Sequence, residues 1–303
     1  MKIKFISFFV KDEGKKTGFV IDNHVYDITK LIGEDLINII KDGRINNFDF
    51  LSYLKNNQCD FELIGIEYCE LLKADRNQNI YILIPYSPPE VWGVGVTYKK
   101  NRDIHEFDLK AIKSKYEGLY DFVYKSKRPE IFFKALAHHC VGTHEKFSIR
   151  KGSESTIVEA ELACVYNKEG NILAYTIAND VTAWDIELEC PLFLNYAKIF
   201  DGCCVIGPSM IPALEVVDPL ALKVSCCMER NGKEVFSKSG NTSNMKRSLK
   251  ELTENLTENR TISDGTVLCT GTAVGIPSYM NCIPNDIIKI EIENFGYLLN
   301  KAK

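Results

Sequence analysis

No run of apolar residues in this sequence is long enough to cross a bilayer. Near the N-terminus the stretch from Ile6 to Val10 is cut short by charge, too brief for the core of a secretory leader, and is expected to form a strand. A basic excess is also missing: 37 Lys plus Arg against 41 Asp plus Glu give 37 − 41 = −4, so nothing favours a nucleic-acid backbone. Nucleic-acid and membrane partners are accordingly not expected. The eleven cysteines contain no CxxC, and the five histidines no HxxxH or HExxH, which leaves zinc without a ready ligand set. An odd cysteine count with two adjacent pairs, Cys203-Cys204 and Cys226-Cys227, does not make a disulfide framework; reduced thiols in a cytoplasmic protein are expected. Internal repeats and low-complexity segments are absent. The glycines of VWGVGVTY (91–98) form GxG without a third glycine or a following helix, so a dinucleotide site is not expected.

What is present is core material: 303 residues, 45% of them hydrophobic, enough for about two domains. The chain opens on a hairpin pattern, KIKFISFFV then GFVIDNHVYDIT, followed by helical stretches LINIIKDG (36–43) and FDFLSYLKNN (48–57). The proline-dense Ile84-Pro85-Tyr86-Ser87-Pro88-Pro89 cannot continue a helix or a central strand and marks a boundary. Beyond it, short β-rich runs such as ELACVY, ILAYTIAND, LKVSCCME and IIKIEIENF alternate with turn clusters, and no helix of ten to fifteen residues is predicted between them. A mixed or antiparallel β architecture follows.

In VEAELACVYNKEGNILAYTIAND, two β-rich runs flank Asn167-Lys168-Glu169-Gly170, a hairpin connection. Alternation along a strand puts Glu159 and Glu161 on one face. If the hairpin closes across Tyr166 and Asn171, Glu159 stands opposite Ala178 and Glu161 opposite Thr176, and Asp180 shares their face. Three carboxylates so close repel one another unless a cation joins them. Oxygen-only ligands favour Mg²⁺, Mn²⁺ or Ca²⁺ and leave coordination positions for water or a chelating substrate. Spacing alone also fits the polar outer face of a surface hairpin.

At these residues the sequence resembles the fumarylacetoacetate hydrolase superfamily, whose metal motif is E-x-E followed by Asp in an (A/G)-N-D context. Glu159-Ala160-Glu161 and Ala178-Asn179-Asp180 match it. The similarity covers roughly residues 85 to 300 and includes VWGVGVTY, KRPEIFFK (127–134), AYTIANDVTAWDIE, AKIFDG, TSNMKRS (242–248), DGTVLCTGTAVG and IKIEIENFGYL. The resemblance implies an α+β, β-rich fold: a mixed β-sheet roll or sandwich of the fumarylacetoacetate hydrolase type over residues 85–303, preceded by a small N-terminal α+β domain over 1–84. It implies one Mg²⁺-type ion on Glu159, Glu161 and Asp180, a 2-oxo-acid substrate and a homo-oligomer, dimer or tetramer. Within the superfamily the order RPEIFFK, SxMKRS, TGT is most similar to the branch of 2-keto-3-deoxy-D-arabinonate dehydratase.

That branch implies catalytic roles for Glu130 and Lys198. A base is needed to take a C3 proton, and Lys198, near a cation and inside a pocket, is expected to have a lowered pKa. Glu130 beside an apolar run is expected to keep a raised pKa and protonate a leaving C4 hydroxyl, unless it pairs with Arg128 or Lys134. Thr270, Gly271 and Thr272 are expected to meet the substrate carboxylate, and Tyr98 and Arg102 to close over it as a polar lid. Asp185 and Glu187 stand as candidates around the metal shell. His138 and His139 are expected to be structural.

The sequence also departs from its relatives. Trp184 stands where they carry Arg, Cys190 follows Glu189 where they read E-N-P, and Asn101 falls where hydrolases of the superfamily place a lid His. His105 and Glu106 remain as a displaced His–Glu dyad. Three readings result: a dehydratase of 2-keto-3-deoxy sugar acids, a C–C hydrolase of acylpyruvate type or oxaloacetate decarboxylase, and a non-catalytic metabolite-binding protein.

Overall fold

Ala160–Tyr166 and Ile172–Asp180 are mostly apolar or small, and in the computed structural model, which describes residues 3–41 and 62–303, they form the centre of the molecule. Both strands are covered on two faces. Ala160, Leu162, Cys164 and Tyr166 point into one core with Tyr175 and Ile177, whereas Ala163 and Val165 point into another with Ala174 and Ala178. A strand buried on both sides has no polar face to alternate with, so its sequence reads as a continuous apolar run. Each fully buried Leu, Ile or Val there contributes roughly 1.5–3 kcal/mol.

Among the described residues, twelve strands make one mixed sheet. Its main path runs Glu62–Glu67, His24–Asp27, Gly14–Ile21, Lys4–Val10, Cys204–Pro212, Ile172–Asp180, Ala160–Tyr166, Thr266–Thr272, Val91–Gly95, Glu130–Ala135. Neighbours along it are antiparallel except Thr266–Thr272 and Val91–Gly95, which run parallel with Val267 beside Val91. A second, five-stranded sheet turns Val224, Cys226, Met228, Ile288, Ile290 and Ile292 against the first to fill the core between them. The β-rich α+β sandwich of mixed sheets expected from the sequence is the fold observed.

The leading hairpin forms as Lys4–Val10 paired with Gly14–Ile21, and it joins the large sheet where Phe5 meets Met210. Ile37–Lys41 is helical, within the expected 36–43; the expected helix at 48–57 lies outside the described residues.

One element differs from expectation. Lys99–Ala111 is a 13-residue helix directly after the GxG strand, where none was predicted. Its buried residues, Asn101, His105, Asp108 and Leu109, keep helical spacing, but three of the four are polar, so the stripe carries no hydrophobic periodicity. Val96, at φ 56°, turns the chain from strand to helix in a conformation that a β-branched residue rarely adopts. Trp184, the departure from the family pattern, anchors this helix: its indole donates to Asp108 at 3.0 Å and its ring lies 4.1 Å from His105. No helix among the described residues is long and apolar enough to cross a membrane.

Candidate active site

The hairpin register places the three acidic residues, though not by the expected pairing. Glu161 faces Ala178, and Asp180 N donates to Glu159 O at 3.1 Å, two residues from the predicted alignment. One residue enters at the turn, where Tyr166 pairs with Ile172 instead of Asn171, and another at a bulge between Val165 and Tyr166. An odd slip would have turned the carboxylates to the opposite face; an even one preserves it. Glu159, Glu161 and Asp180 therefore converge, buried, with ligand oxygens all within 4.8 Å of one another. They line a narrow cavity together with Glu130, Glu187 and Lys198.

Cations balance part of this charge. Lys198, from the helix Leu194–Lys198, places Nζ 2.6 Å from Glu159 Oε2, 3.1 Å from Asp180 Oδ2 and 2.7 Å from the Thr182 hydroxyl. Burial opposes its charge, but Asp180, Glu159 and Glu187 prevail and hold its pKa well above the ordinary lysine value. The lowered pKa expected from sequence is thus corrected, because the carboxylates surround the ammonium directly. Lys134 is the second cation. Completely buried, it contacts Asp180 Oδ1 at 2.6 Å and donates to the carbonyls of Val181 and Lys198. It therefore ties Asp180 to the end of the Lys198 helix. Burial would raise the Asp180 pKa, yet Lys134 and Lys198 keep it below the ordinary carboxylate range.

Among the described residues no lysine pairs with Glu161. Burial first, then Asp180 and Glu159, push its pKa well above the usual value, relieved only in part by the Gly271 N–H at 2.7 Å and by the charge of Lys198. Five carboxyl groups and one ammonium line the cavity, and the uncompensated charge of an all-oxygen donor set fits a hard divalent cation.

Glu130 begins the strand Glu130–Ala135, on the same face as Phe132 and Lys134. It does not pair with Lys134, which is held by Asp180. Burial raises its pKa, with Lys198 opposing and Glu159 adding. Room for it comes from Gly95 on the facing strand: a Cβ there would overlap the Glu130 carboxylate oxygen and lie 3.0 Å from its carbon.

The predicted substrate contacts separate. Gly271 and Thr272 line the cavity, but Gly271 N–H is already donated to Glu161, and its φ of +94° with Thr97 close by requires glycine. Thr270 is a correction: its hydroxyl donates to Leu162 O at 2.8 Å, away from the cavity. Tyr98 packs into the core between the sheets and does not line the cavity. Arg102 is corrected as well. Its guanidinium lies 2.7 Å from both Asp103 and Asp121 and over the Tyr124 ring, and these contacts hold it on the outer side of the helix.

The displaced dyad does not form either. Glu106 accepts from the Gly118 and Asp121 amides, capping the helix Leu119–Lys125, while His105 faces the cavity. Burial, then Lys198, pull the His105 pKa down to about 3, so the imidazole is neutral. Asp185 binds Ser153 and the Glu154 amide, holding a loop; of that pair only Glu187 reaches the cavity. His139 accepts from the Leu136 amide in its own turn.

Sequence reasoning missed Lys134, Thr182 and Tyr120. Alternation from Glu130 to Lys134, and from Asp180 to Thr182, carried a usable signal for the first two. Tyr120 had none, since it arrives from a helix after a loop.

Residues 120–303 match the family model described as fumarylacetoacetate (FAA) hydrolase C-terminal. The chain is 40% identical over 240 residues to 2-dehydro-3-deoxy-D-arabinonate dehydratase of Saccharolobus solfataricus, covering 79% of this chain and 80% of that one. It is 36% identical over 219 residues to a probable 2-keto-3-deoxyxylonate dehydratase of Haloferax volcanii, covering 72% and 74%. Among solved structures, 2-keto-3-deoxy-D-arabinonate dehydratase complexed with magnesium and 2,5-dioxopentanoate superposes with a TM-score of 0.82 at 34% identity, over 99% of this chain and 98% of that one. The buried E-x-E and N-D carboxylates on one hairpin face, and a family match over residues 120–303, place this chain in the fumarylacetoacetate hydrolase family.

Proposed function

We propose that the protein is a Mg²⁺-dependent dehydratase of 2-keto-3-deoxy sugar acids. The observation that carries this reading is convergence: Glu130, Lys198 and the carboxylate trio meet in one buried cavity, in a chain 40% identical to an arabinonate-derived 2-keto acid dehydratase. Glu159, Glu161 and Asp180 would hold the ion. A divalent cation held there would make the C3 hydrogens of a 2-oxo acid acidic, and its charge would offset the Glu159 and Asp180 carboxylates that keep Lys198 protonated.

Lys198, anchored beside the trio, is the base for a C3 proton. Glu130, with its pKa raised by burial, carries a proton for the departing C4 hydroxyl. Gly271 and Thr272 border the same cavity and shape the substrate's resting place. Among the described residues no His–Glu dyad stands ready to activate water, which favours elimination over C–C hydrolysis. A cytoplasmic location and a homo-oligomer belong to this reading; Leu192, Phe193 and Tyr196 leave apolar surface beside the cavity wall for a second copy to cover.

The test is a product assay with Mg²⁺ on a panel of 2-keto-3-deoxy acids, acylpyruvates and oxaloacetate. Dehydration of a 2-keto-3-deoxy pentonate, abolished by EDTA and restored by Mg²⁺ or Mn²⁺, is expected. Turnover of the acylpyruvates alone would transfer the protein to the hydrolases.

A further inference from the structure

The following rests on the dehydratase reading. Removing water across C3 and C4 of a five-carbon 2-keto-3-deoxy acid leaves a conjugated 2-oxo-3-ene whose C5 still bears a hydroxyl. The compound bound in the related solved structure, 2,5-dioxopentanoate, is an aldehyde at C5 and saturated at C3 and C4. Between the two, C5 must lose a hydrogen, C3 and C4 must each gain one, and the C5 hydroxyl must give up its proton. Lys198 and Glu130 are each engaged once in the elimination, so the C4–C5 end needs another acid–base group.

Glu187 fits that need. It projects from the helix Trp184–Glu189 into the cavity, with its side chain 12% exposed. The Tyr120 hydroxyl donates to its Oε1 at 3.1 Å. Among the described residues its Oε2 has no hydrogen-bond partner, and Lys198 Nζ lies 3.8 Å away. A buried carboxylate oxygen left without a hydrogen bond beside a substrate cavity is a costly arrangement in a fold that satisfies nearly all such atoms.

We propose that Glu187 is a second catalytic acid–base, which takes a proton from C5 of the conjugated intermediate and returns it to C4. As the proton leaves, the C5–H pair becomes C4=C5, the C3=C4 pair moves to C2=C3 and the carbonyl π pair moves to O2. The group that took the C3 proton returns it there and the C2 carbonyl re-forms, leaving the enol C4=C5–OH. Glu187 then protonates C4 while the enol hydroxyl proton passes to Glu130, replacing the one Glu130 gave to the departing hydroxyl. The net change is the loss of one water, with no oxidant or reductant. Tyr120 acts as a positioning residue, fixing one oxygen so that the other faces the substrate. Burial, with Glu159 and Glu130 adding and Lys198 opposing, brings the Glu187 pKa to about 7, suited to a group that both accepts and donates.

The test uses the Mg²⁺-loaded enzyme and a 2-keto-3-deoxy pentonate deuterated at C5, in ordinary water. A single proton carried from C5 to C4 leaves part of the label at C4 of the product, visible by NMR. In Glu187→Gln, exchange of the C3 hydrogens with solvent should persist within about threefold of wild type, while 2,5-dioxopentanoate formation falls roughly a hundredfold or more. A conjugated 2-oxo-3-ene absorbing in the near ultraviolet should accumulate. Tyr120→Phe, which keeps the carboxylate, should slow the same late step by about tenfold and leave C3 exchange alone. Product formed by Glu187→Gln at the wild-type rate, equal losses of C3 exchange and product, or no label at C4 in wild type would each overturn the assignment. If wild type dehydrates no 2-keto-3-deoxy acid, the functional reading fails with it; if wild type does and the variants match it, only this inference fails.

Discussion

Gly95 and Glu130 form a cross-strand pair in which the absence of one side chain makes room for the other. The φ of Gly95 lies outside the left-handed region, so alanine fits the backbone, and the overlap falls on the movable end of a glutamate. Gly95→Ala should therefore cost little stability while displacing the acid. We expect kcat for dehydration to fall by roughly two to four powers of ten, with Mg²⁺ affinity and the melting temperature almost unchanged. Unaltered kcat would mean that Glu130 does not protonate the leaving group. The motif RPE marks Glu130 in the sequence, but nothing there reports that Gly95 stands across from it. That pairing depends on a parallel contact between Thr266–Thr272 and Val91–Gly95 and an antiparallel one beyond it, both distant in sequence.

Elements, more than single residues, decided what could be read in advance. The hairpin and its E-x-E face were legible because two apolar runs and a turn lie side by side in the chain. Its register was not, since a turn residue and a bulge each moved it by one; the face survived because the two shifts add to an even number. The helix Lys99–Ala111 was invisible for the reason that its inward stripe is polar, and Arg102 was misplaced with it. If Arg102 serves to join the helices Lys99–Ala111 and Leu119–Lys125 through Asp121, then Arg102→Ala and Asp121→Ala should perturb KM alike. A double-mutant cycle on unfolding should show a coupling of about 0.5 kcal/mol, as for a partly exposed ion pair. A tenfold rise in KM confined to Arg102→Ala would instead return Arg102 to the substrate.

At the scale of the whole molecule, the proline-dense stretch at 84–89 turns the chain without dividing the sheet, because Lys4–Val10 pairs with Cys204–Pro212 and packs Phe5 against the core shared with Ala163 and Ile206. A molecule built this way closes its carboxyl groups inside, and its stability must then depend on pH. Glu187 is the clearest case: burial, opposed by Lys198 and the Tyr120 hydrogen bond and reinforced by Glu159 and Glu130, moves it from the ordinary 4.5 to about 7. A raised carboxyl pKa means that the fold favours the protonated form. Its contribution is fully present below the unfolded value of 4.5 and is lost as pH rises through about 7, a change of about 3 kcal/mol for a shift of this size. Glutamine at this position stays neutral and keeps an acceptor for Tyr120. In EDTA, the unfolding free energy of Glu187→Gln relative to wild type should therefore climb by about that amount between pH 4.5 and 8, in favour of the variant, while groups common to both proteins cancel. Denaturant titrations across that range measure the difference directly. A flat difference would show that Glu187 ionises normally, and with it would go the reason for its lone unpartnered oxygen to hold a proton near neutral pH.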